Sequence, residues 1–349
     1  MTRRSVTLSV SGALIVALIA IASLLPVPYV VYSPGPLEDT LGEWNGAPVV
    51  QVDGGVETFE AEGTLELTTV GVTSADTKLD LLTVLRAWMD ADRAVVPRDT
   101  VYREDETAEE SREQSARQLA RSQETAKVAA LRHLGYEVDE QILVVTVFDG
   151  SPADGLLEPG DIITSVDGVK AASPAEVADI VVDREPGDPV EFGIRRDDDD
   201  MVVTVETEPA EDDGRPVVGI GPDWGYEMPV EITIGIDERI GGPSAGMIFA
   251  LAIYDTLTEE PLVDGAHVAG TGEISGEGEI GPIGGIQQKI AAAEEAGVEL
   301  FLAPLSNCDE ASSADSGDMQ VVPVETLEDA IEAVDTYTDG DGSSLPRCG

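Results

Sequence analysis

Six residues, Gly241-Gly242-Pro243-Ser244-Ala245-Gly246, run directly into Met247-Ile248-Phe249-Ala250-Leu251-Ala252-Ile253-Tyr254. The second run is apolar on every face, so it reads as a helix buried inside a core. Ser244 stands at the N-terminus of that helix. There the unpaired backbone N–H groups and the positive end of the dipole favour negative charge. Gly241 and Gly242 admit another backbone closely, and Pro243 fixes the turn. Two readings follow. Ser244 either caps the helix through its hydroxyl, or it is a nucleophile with an oxyanion site beside it.

A second stretch bears on that choice. Gly270-Thr271-Gly272-Glu273-Ile274 precedes Gly281-Pro282-Ile283-Gly284-Gly285-Ile286-Gln287-Gln288-Lys289-Ile290. After Gly285 the pattern turns helical, with Ile286, Ile290, Ala293 and Gly297 on one face and Lys289 among them. A lysine there must snorkel, pair, or sit desolvated with a depressed pKa. In the desolvated case it can be neutral near pH 7 and take a proton from a serine. The chain has only four lysines, Lys78, Lys127, Lys170 and Lys289, so one on a core-facing stripe stands out.

Pro-Ser-Ala-Gly, Thr-Gly-Glu-Ile and Pro-Ile-Gly-Gly-Ile-x-x-Lys, in this order, resemble the proteolytic domain of Lon-type serine proteases over about residues 212–340. The resemblance implies an α/β domain in which Ser244 is the nucleophile, Lys289 the base and Thr271 a residue that orients the lysine. It also implies backbone N–H groups of Gly242 and Ser244 as oxyanion donors, no cofactor, and assembly into homo-oligomers, often hexamers. The family's first lysine of a Lys-x-Lys pair is Gln287 here, which leaves Lys289. Its aspartate three residues before the serine is Gly241.

The rest of the chain sets the context. With 20 basic against 69 acidic residues the formal net charge is −49, which excludes nucleic-acid backbones as the main partner. Arg3 and Arg4 precede an uncharged, largely apolar run from Val6 to Leu25. Some twenty residues at ~1.5 Å each span a ~30 Å hydrocarbon layer. The run is expected to be a retained anchor with a cytoplasmic N-terminus, so the remaining chain lies outside the cell. The competing reading is a signal peptide cleaved near Ala20-Ile21-Ala22. Ser33-Pro34-Gly35-Pro36 is expected to break the helix at the membrane surface. Residues 33–135 then form a structural collar, with strands at Val49–Val52 and Leu65–Val70 and helices over 77–89 and 115–134.

Ile142–Val147, Gly150-Ser151-Pro152-Ala153, Pro159-Gly160-Asp161-Ile162-Ile163 and Val166-Asp167-Gly168 are similar to a bacterial PDZ domain over about residues 136–209. That resemblance implies a β-rich domain with a groove beside a Pro174–Val182 helix, where an extended peptide adds as a strand. Leu134-Gly135-Tyr136 is the expected carboxylate-binding loop. The aspartates at 197–200 read as a solvated hairpin turn.

Other features are set aside. Gly276-Glu277-Gly278-Glu279-Ile280-Gly281 fits a dinucleotide fingerprint but lacks its strand–turn–helix setting. No Walker A sequence occurs, so the ATP-driven module of full-length Lon is not encoded in these residues. His133 and His267 have no ligand-spaced partner, and no metal site is expected. His267 lies four residues before Thr271 and offers a rival Ser–His mechanism. Cys308 and Cys348, the only cysteines, are expected to pair outside the cell and pin the tail 341–349.

The order is therefore anchor (1–32), collar (33–135), PDZ domain (136–209) and Lon-type domain (210–340), an α/β (α+β) multidomain chain. It resembles the membrane-anchored PDZ–Lon proteases of the YlbL type. That family implies an ATP-independent extracytoplasmic serine endopeptidase whose protein or peptide substrates are selected through PDZ. The alternative is a non-catalytic PDZ scaffold.

Overall fold

The computed structural model describes residues 10–18, 20, 25–197, 199–210 and 212–348. The expected anchor over Val6–Leu25 lies partly outside them, as do Arg3 and Arg4. Residues 10–18 are helical and exposed. Among the described residues no helix is long and apolar enough to cross a membrane.

The chain divides into two units, residues 1–136 with 230–349, and residues 137–229. The first begins with strands β1 (Tyr29–Asp39), β2 (Val50–Asp53) and β3 (Thr64–Val72), helix α1 (Leu81–Trp88), strand β4 (Ala94–Pro97) and helix α2 (Ala108–His133). The second holds β5 (Asp139–Val147), β6 (Ile162–Val166), α3 (Pro174–Val182), β7 (Pro189–Arg196), β8 (Asp199–Glu206) and β9 (Ile220–Glu227). The first unit then resumes with β10 (Glu231–Ile234), α4 (Gly246–Leu257), β11 (His267–Gly270), α5 (Ile286–Ala296), β12 (Leu300–Pro304), β13 (Gln320–Val324) and α6 (Leu327–Thr336).

The expected collar is not a separate body. A six-stranded sheet runs β13-β12-β11-β3-β1-β4, so half of its strands come from the collar and half from the far end of the chain. β3, β11, β12 and β13 are parallel, and β1 is antiparallel to both β3 and β4. Burial on both faces explains near-continuous apolar runs such as Leu300-Phe301-Leu302-Ala303. Ser33–Pro36, expected to break a helix, instead lies inside β1, where the register shifts between Pro34 and Leu37. Proline has no N–H to donate, and a bulge is where a strand tolerates it.

Strand alternation assigns the two faces of this sheet. Ala269, Phe301 and Ala303 join Ile286, Ile290 and Ala293 of α5 in one apolar cluster. Gly270, one residue on, faces the other way; a Cβ there would lie 3.0 Å from Met247 Cε of α4. Every residue from Gly246 to Ile253 is buried, which is why the run is apolar all round. Each large side chain so buried contributes ~1.5–3 kcal/mol. α2, which starts at a Thr107–Glu110 capping box, packs against α4.

The second unit is an antiparallel sheet, β8-β7-β6-β5-β9, closed over its own core by α3. Asp161 of the Pro159-Gly160-Asp161 motif is buried and takes both Arg196 Nε and Nη2 at 2.6 Å. It also accepts the Glu158 N–H at 2.9 Å. The motif thus ties a loop to β7. The unit extends past the expected boundary at 209, because β9 pairs with β5 and completes the sheet.

Candidate active site

α4 and α5 lie on opposite faces of the six-stranded sheet, and their N-termini meet at the C-terminal end of β11. Ser244 stands two residues before α4, and no side chain caps that helix. The capping reading of Ser244 therefore fails: its hydroxyl is 2.8 Å from Lys289 Nζ instead. Lys289 lies one turn into α5, behind Gly285, whose φ of 72° and a would-be Cβ contact of 2.8 Å with Val70 admit only glycine without rearrangement. Thr271 follows β11 directly, and its hydroxyl is 2.7 Å from Lys289 Nζ.

Lys289 is 2% exposed. Burial among apolar neighbours removes water from the ammonium and lowers its pKa to about 7. No carboxylate pairs with it among the described residues. The hydrogen-bond inventory then fixes the direction of each contact. Thr271 donates its hydroxyl hydrogen to the Ser244 carbonyl at 3.0 Å. That oxygen can only accept from Lys289. A neutral amine that gives an N–H to Thr271 can turn its lone pair to the Ser244 O–H. The three expected residues, Ser244, Lys289 and Thr271, are thus brought together in a geometry that can activate a hydroxyl.

The loop around Ser244 is held by backbone and by α2. The Gly272 N–H donates to the Ser244 carbonyl at 2.8 Å, and the Met247 N–H to the Gly272 carbonyl at 3.1 Å. Ser122 of α2, itself buried, donates to the Pro243 carbonyl at 2.8 Å. The Gly242 N–H, expected as an oxyanion donor, is spent on the Ser115 carbonyl at 2.9 Å. Among the described residues the N–H groups of Ser244 and Ala245, which flank the hydroxyl, carry no such bond and are free to donate. Ser115 and Ser122 were not legible from sequence, since nothing in an acidic, mostly polar helix marks which serine faces a loop more than a hundred residues away.

The α5 end is anchored in a parallel way. Asn307, buried, accepts the Ile283 N–H at 2.9 Å and donates to the Ile283 carbonyl at 3.0 Å. Cys308 follows and is disulfide-bonded to Cys348, as expected. His267 points Nε2 at Glu66 Oε2, 2.7 Å away, and not at Ser244, whose hydroxyl is already held by Lys289. The rival Ser–His arrangement is therefore not formed.

A cleft of about 410 Å³ opens beside Ser244. Thr68–Val72 of β3 lines one side, and Asp237, Arg239 and Ile240 line another. Arg239 pairs with Asp237. Glu38 sits in the same cleft, its carboxyl raised by burial and then by Asp237, against a smaller opposing effect of Arg239. No cluster of His, Cys, Asp and Glu able to hold a metal occurs among the described residues.

The second unit carries its own groove, of about 620 Å³, between α3 and the start of β9. Val177, Ala178 and Val181 line it from the helix, and Val217 and Ile220 from the opposite side. Among the described residues β9 pairs in register with β5 and ends the strand order of this sheet. Gly219 has φ of 79°, and a Cβ would lie 2.1 Å from Ser151 Cβ. Leu134-Gly135-Tyr136 does not form the expected carboxylate loop. It ends α2: Gly135 N–H bonds the Arg132 carbonyl and Tyr136 N–H the Leu131 carbonyl, both at 2.9 Å, around a left-handed Gly135. Those N–H groups are therefore unavailable to a peptide. The sequence signal missed was Val218-Gly219-Ile220-Gly221, a glycine-bearing entry into an edge strand.

Two family models match separate stretches of the chain. Residues 238–335 match the family model of the Lon protease (S16) C-terminal proteolytic domain, and residues 120–207 match that of the PDZ domain. The Lon protease of Escherichia coli (strain K12) is 34% identical over 120 residues, covering 33% of this chain and 15% of that protein. The peroxisomal Lon protease homolog 2 of Caenorhabditis elegans is 37% identical over 120 residues, 34% of this chain and 15% of that protein. The chain thus spans only a small part of the curated relatives it matches. Among solved structures, the PDZ domain of the SdrC-like protein of Listeria monocytogenes is 28% identical, covering 24% of this chain and 86% of that chain with a TM-score of 0.23. The chain carries a Lon-type proteolytic domain and a PDZ domain, a combination that supports a protease.

Proposed function

We propose that this protein is an ATP-independent serine endopeptidase with a Ser244–Lys289 dyad, anchored in the membrane by Val6–Leu25 and working outside the cytoplasm. The observation that carries the reading is the buried Lys289 Nζ, 2.8 Å from Ser244 Oγ, with its pKa brought to about 7. Neutral Lys289 takes the Ser244 proton as the oxygen attacks the peptide carbonyl. The Ser244 and Ala245 N–H groups face the developing oxyanion. Lys289 returns the proton to the leaving amine, and water releases the acyl group by the reverse sequence. Thr271 keeps the lysine aimed.

The edge of β9 and the apolar wall of α3 support peptide binding by strand addition in the second unit. We assign to it the selection of unfolded or membrane-near substrates. Assembly into a homo-oligomer, a hexamer by the Lon-type resemblance, is part of the same proposal. Labelling with a fluorophosphonate, followed by peptide mapping, tests the assignment: the adduct is expected on Ser244 and absent from Lys289→Met. A chain that binds peptides but neither labels nor cleaves would be the non-catalytic scaffold.

A further inference from the structure

Helix α1 presents large apolar side chains to solvent. Its buried side, Val84 and Ala87, packs on the sheet. Its other side carries Leu85, Trp88 and, at the cap, Met89, in register with the half-buried Leu81. Trp88 is 73% and Met89 74% exposed, the two highest values among the described large apolar side chains. Spacing of i, i+4, i+7 and i+8 from Leu81 makes them one stripe. A soluble surface helix ordinarily turns polar residues to this side.

Two features of the chain say what covers the stripe. The first is continuity. α1 grows out of Leu79–Asp80, which pairs antiparallel with Pro26–Val27. The chain therefore passes from the apolar run to the base of α1 within two residues of Leu25. Residues 5–37 contain no charged side chain at all. The second feature is charge. Across residues 78–93, Lys78, Arg86 and Arg93 balance Asp80, Asp90 and Asp92, three against three. The whole chain carries 20 basic and 69 acidic residues. An acidic surface is repelled by anionic headgroups within a Debye length, ~8–10 Å. The neutral stripe is the part of this surface that approaches without that repulsion.

We propose that Leu81, Leu85, Trp88 and Met89 lie in the headgroup–acyl boundary of the bilayer from which the chain emerges. The proposal rests on the anchor assigned above. Tryptophan is suited to that depth because its ring is apolar and its N–H is satisfied by headgroups and water. Arg86 and Lys78 reach headgroup oxygens with their stems along the apolar side. Such contact fixes α1 parallel to the membrane and stops the first unit from tumbling on its tether.

The test uses the full chain reconstituted in phosphatidylcholine vesicles with and without brominated acyl chains. Trp88→Phe serves as the comparison, an exposed change that leaves the fold intact. Flotation reads the anchor, and bromine quenching of tryptophan emission reads the stripe. The chain has three tryptophans, Trp44, Trp88 and Trp224. The parent is expected to float and be quenched, and Trp88→Phe to float and lose most of the quenchable emission. Flotation with equal quenching in both would overturn the α1 proposal and leave the anchor standing. A chain that does not float would overturn both.

Discussion

The cleft beside Ser244 and the groove beside α3 differ first in what they bury. Beside the cleft, Lys289 and Thr271 are both buried, the lysine against the Ser244 hydroxyl and the threonine against that lysine and the Ser244 carbonyl. In the groove, apolar side chains such as Val177 and Val181, rooted in the unit's own core, line the wall beside an end strand of the sheet, and no charged group is buried among them. The contrast follows from the two tasks. A general base must lose water to become neutral near pH 7, at a cost to the fold. A strand-adding surface needs only free backbone groups and shallow apolar contacts, so it tolerates many sequences. On the proposed function, selection and cleavage are therefore separable by mutation.

The largest effects fall on the dyad. Ser244→Ala and Lys289→Arg are each expected to lower peptide cleavage by on the order of 10³-fold or more, since guanidinium keeps its proton in this range. Peptide binding to the second unit, followed by fluorescence anisotropy, should stay the same. Loss of binding in either variant would show that cleft and groove are not independent.

Lys289 also links the cleft to pH. Cleavage by the parent should rise with pH along one limb centred near 7. Because burial lowers this folded-state pKa below the free-lysine value of 10.5, the unfolded chain binds the extra proton between the two. The penalty to folding is full below about 7 and fades as pH rises toward 10.5. Lys289→Met should therefore be inactive yet more stable, on the order of a few kcal/mol at pH 6 and less at pH 10. Equal denaturant midpoints for parent and variant at pH 6 would mean that the lysine is solvated in the folded state.

Smaller effects sharpen the contrast. Thr271→Val removes an acceptor from Lys289 and a donor to the Ser244 carbonyl, so kcat should fall by roughly 10–100-fold with KM little changed. Thr271→Ser should restore most of it. Ala178→Arg, on the exposed side of α3, should fill the groove and lower cleavage of an unfolded protein several-fold, about 1 kcal/mol. Short-peptide cleavage should not change, and equal losses on both would make the groove structural. Ser122→Ala removes the hydrogen bond to the half-buried Pro243 carbonyl and should cost ~0.5–1.5 kcal/mol of stability, read from a urea melt.

Much of the cleft was legible in the chain. Ser244, Lys289 and Thr271 sit in local motifs whose residue types are required by the chemistry, and the cysteine pair needed only parity and an oxidising setting. A carboxylate-binding loop was expected at Leu134–Tyr136, but a glycine after an apolar residue serves equally as a helix stop. There the hydrogen bonds of α2 decide, and they use the N–H groups that a ligand would need. The Gly242 N–H was misassigned for the same reason: its acceptor, Ser115, is remote in sequence.

What the sequence alone determined is local: an all-round apolar helix behind Ser244, a lysine on an apolar stripe, and a turn chemistry that admits only glycine. Periodicity and composition act over a few turns of chain, so such features survive without any knowledge of neighbours. Only the tertiary structure decided that residues 29–97 complete the same sheet as residues 267–324, that α2 holds the Ser244 loop, and that β9 completes the second sheet. These are pairings between backbone groups far apart in sequence. Every residue but proline carries the same N–H and C=O, so side chains seldom record which partner these groups will find.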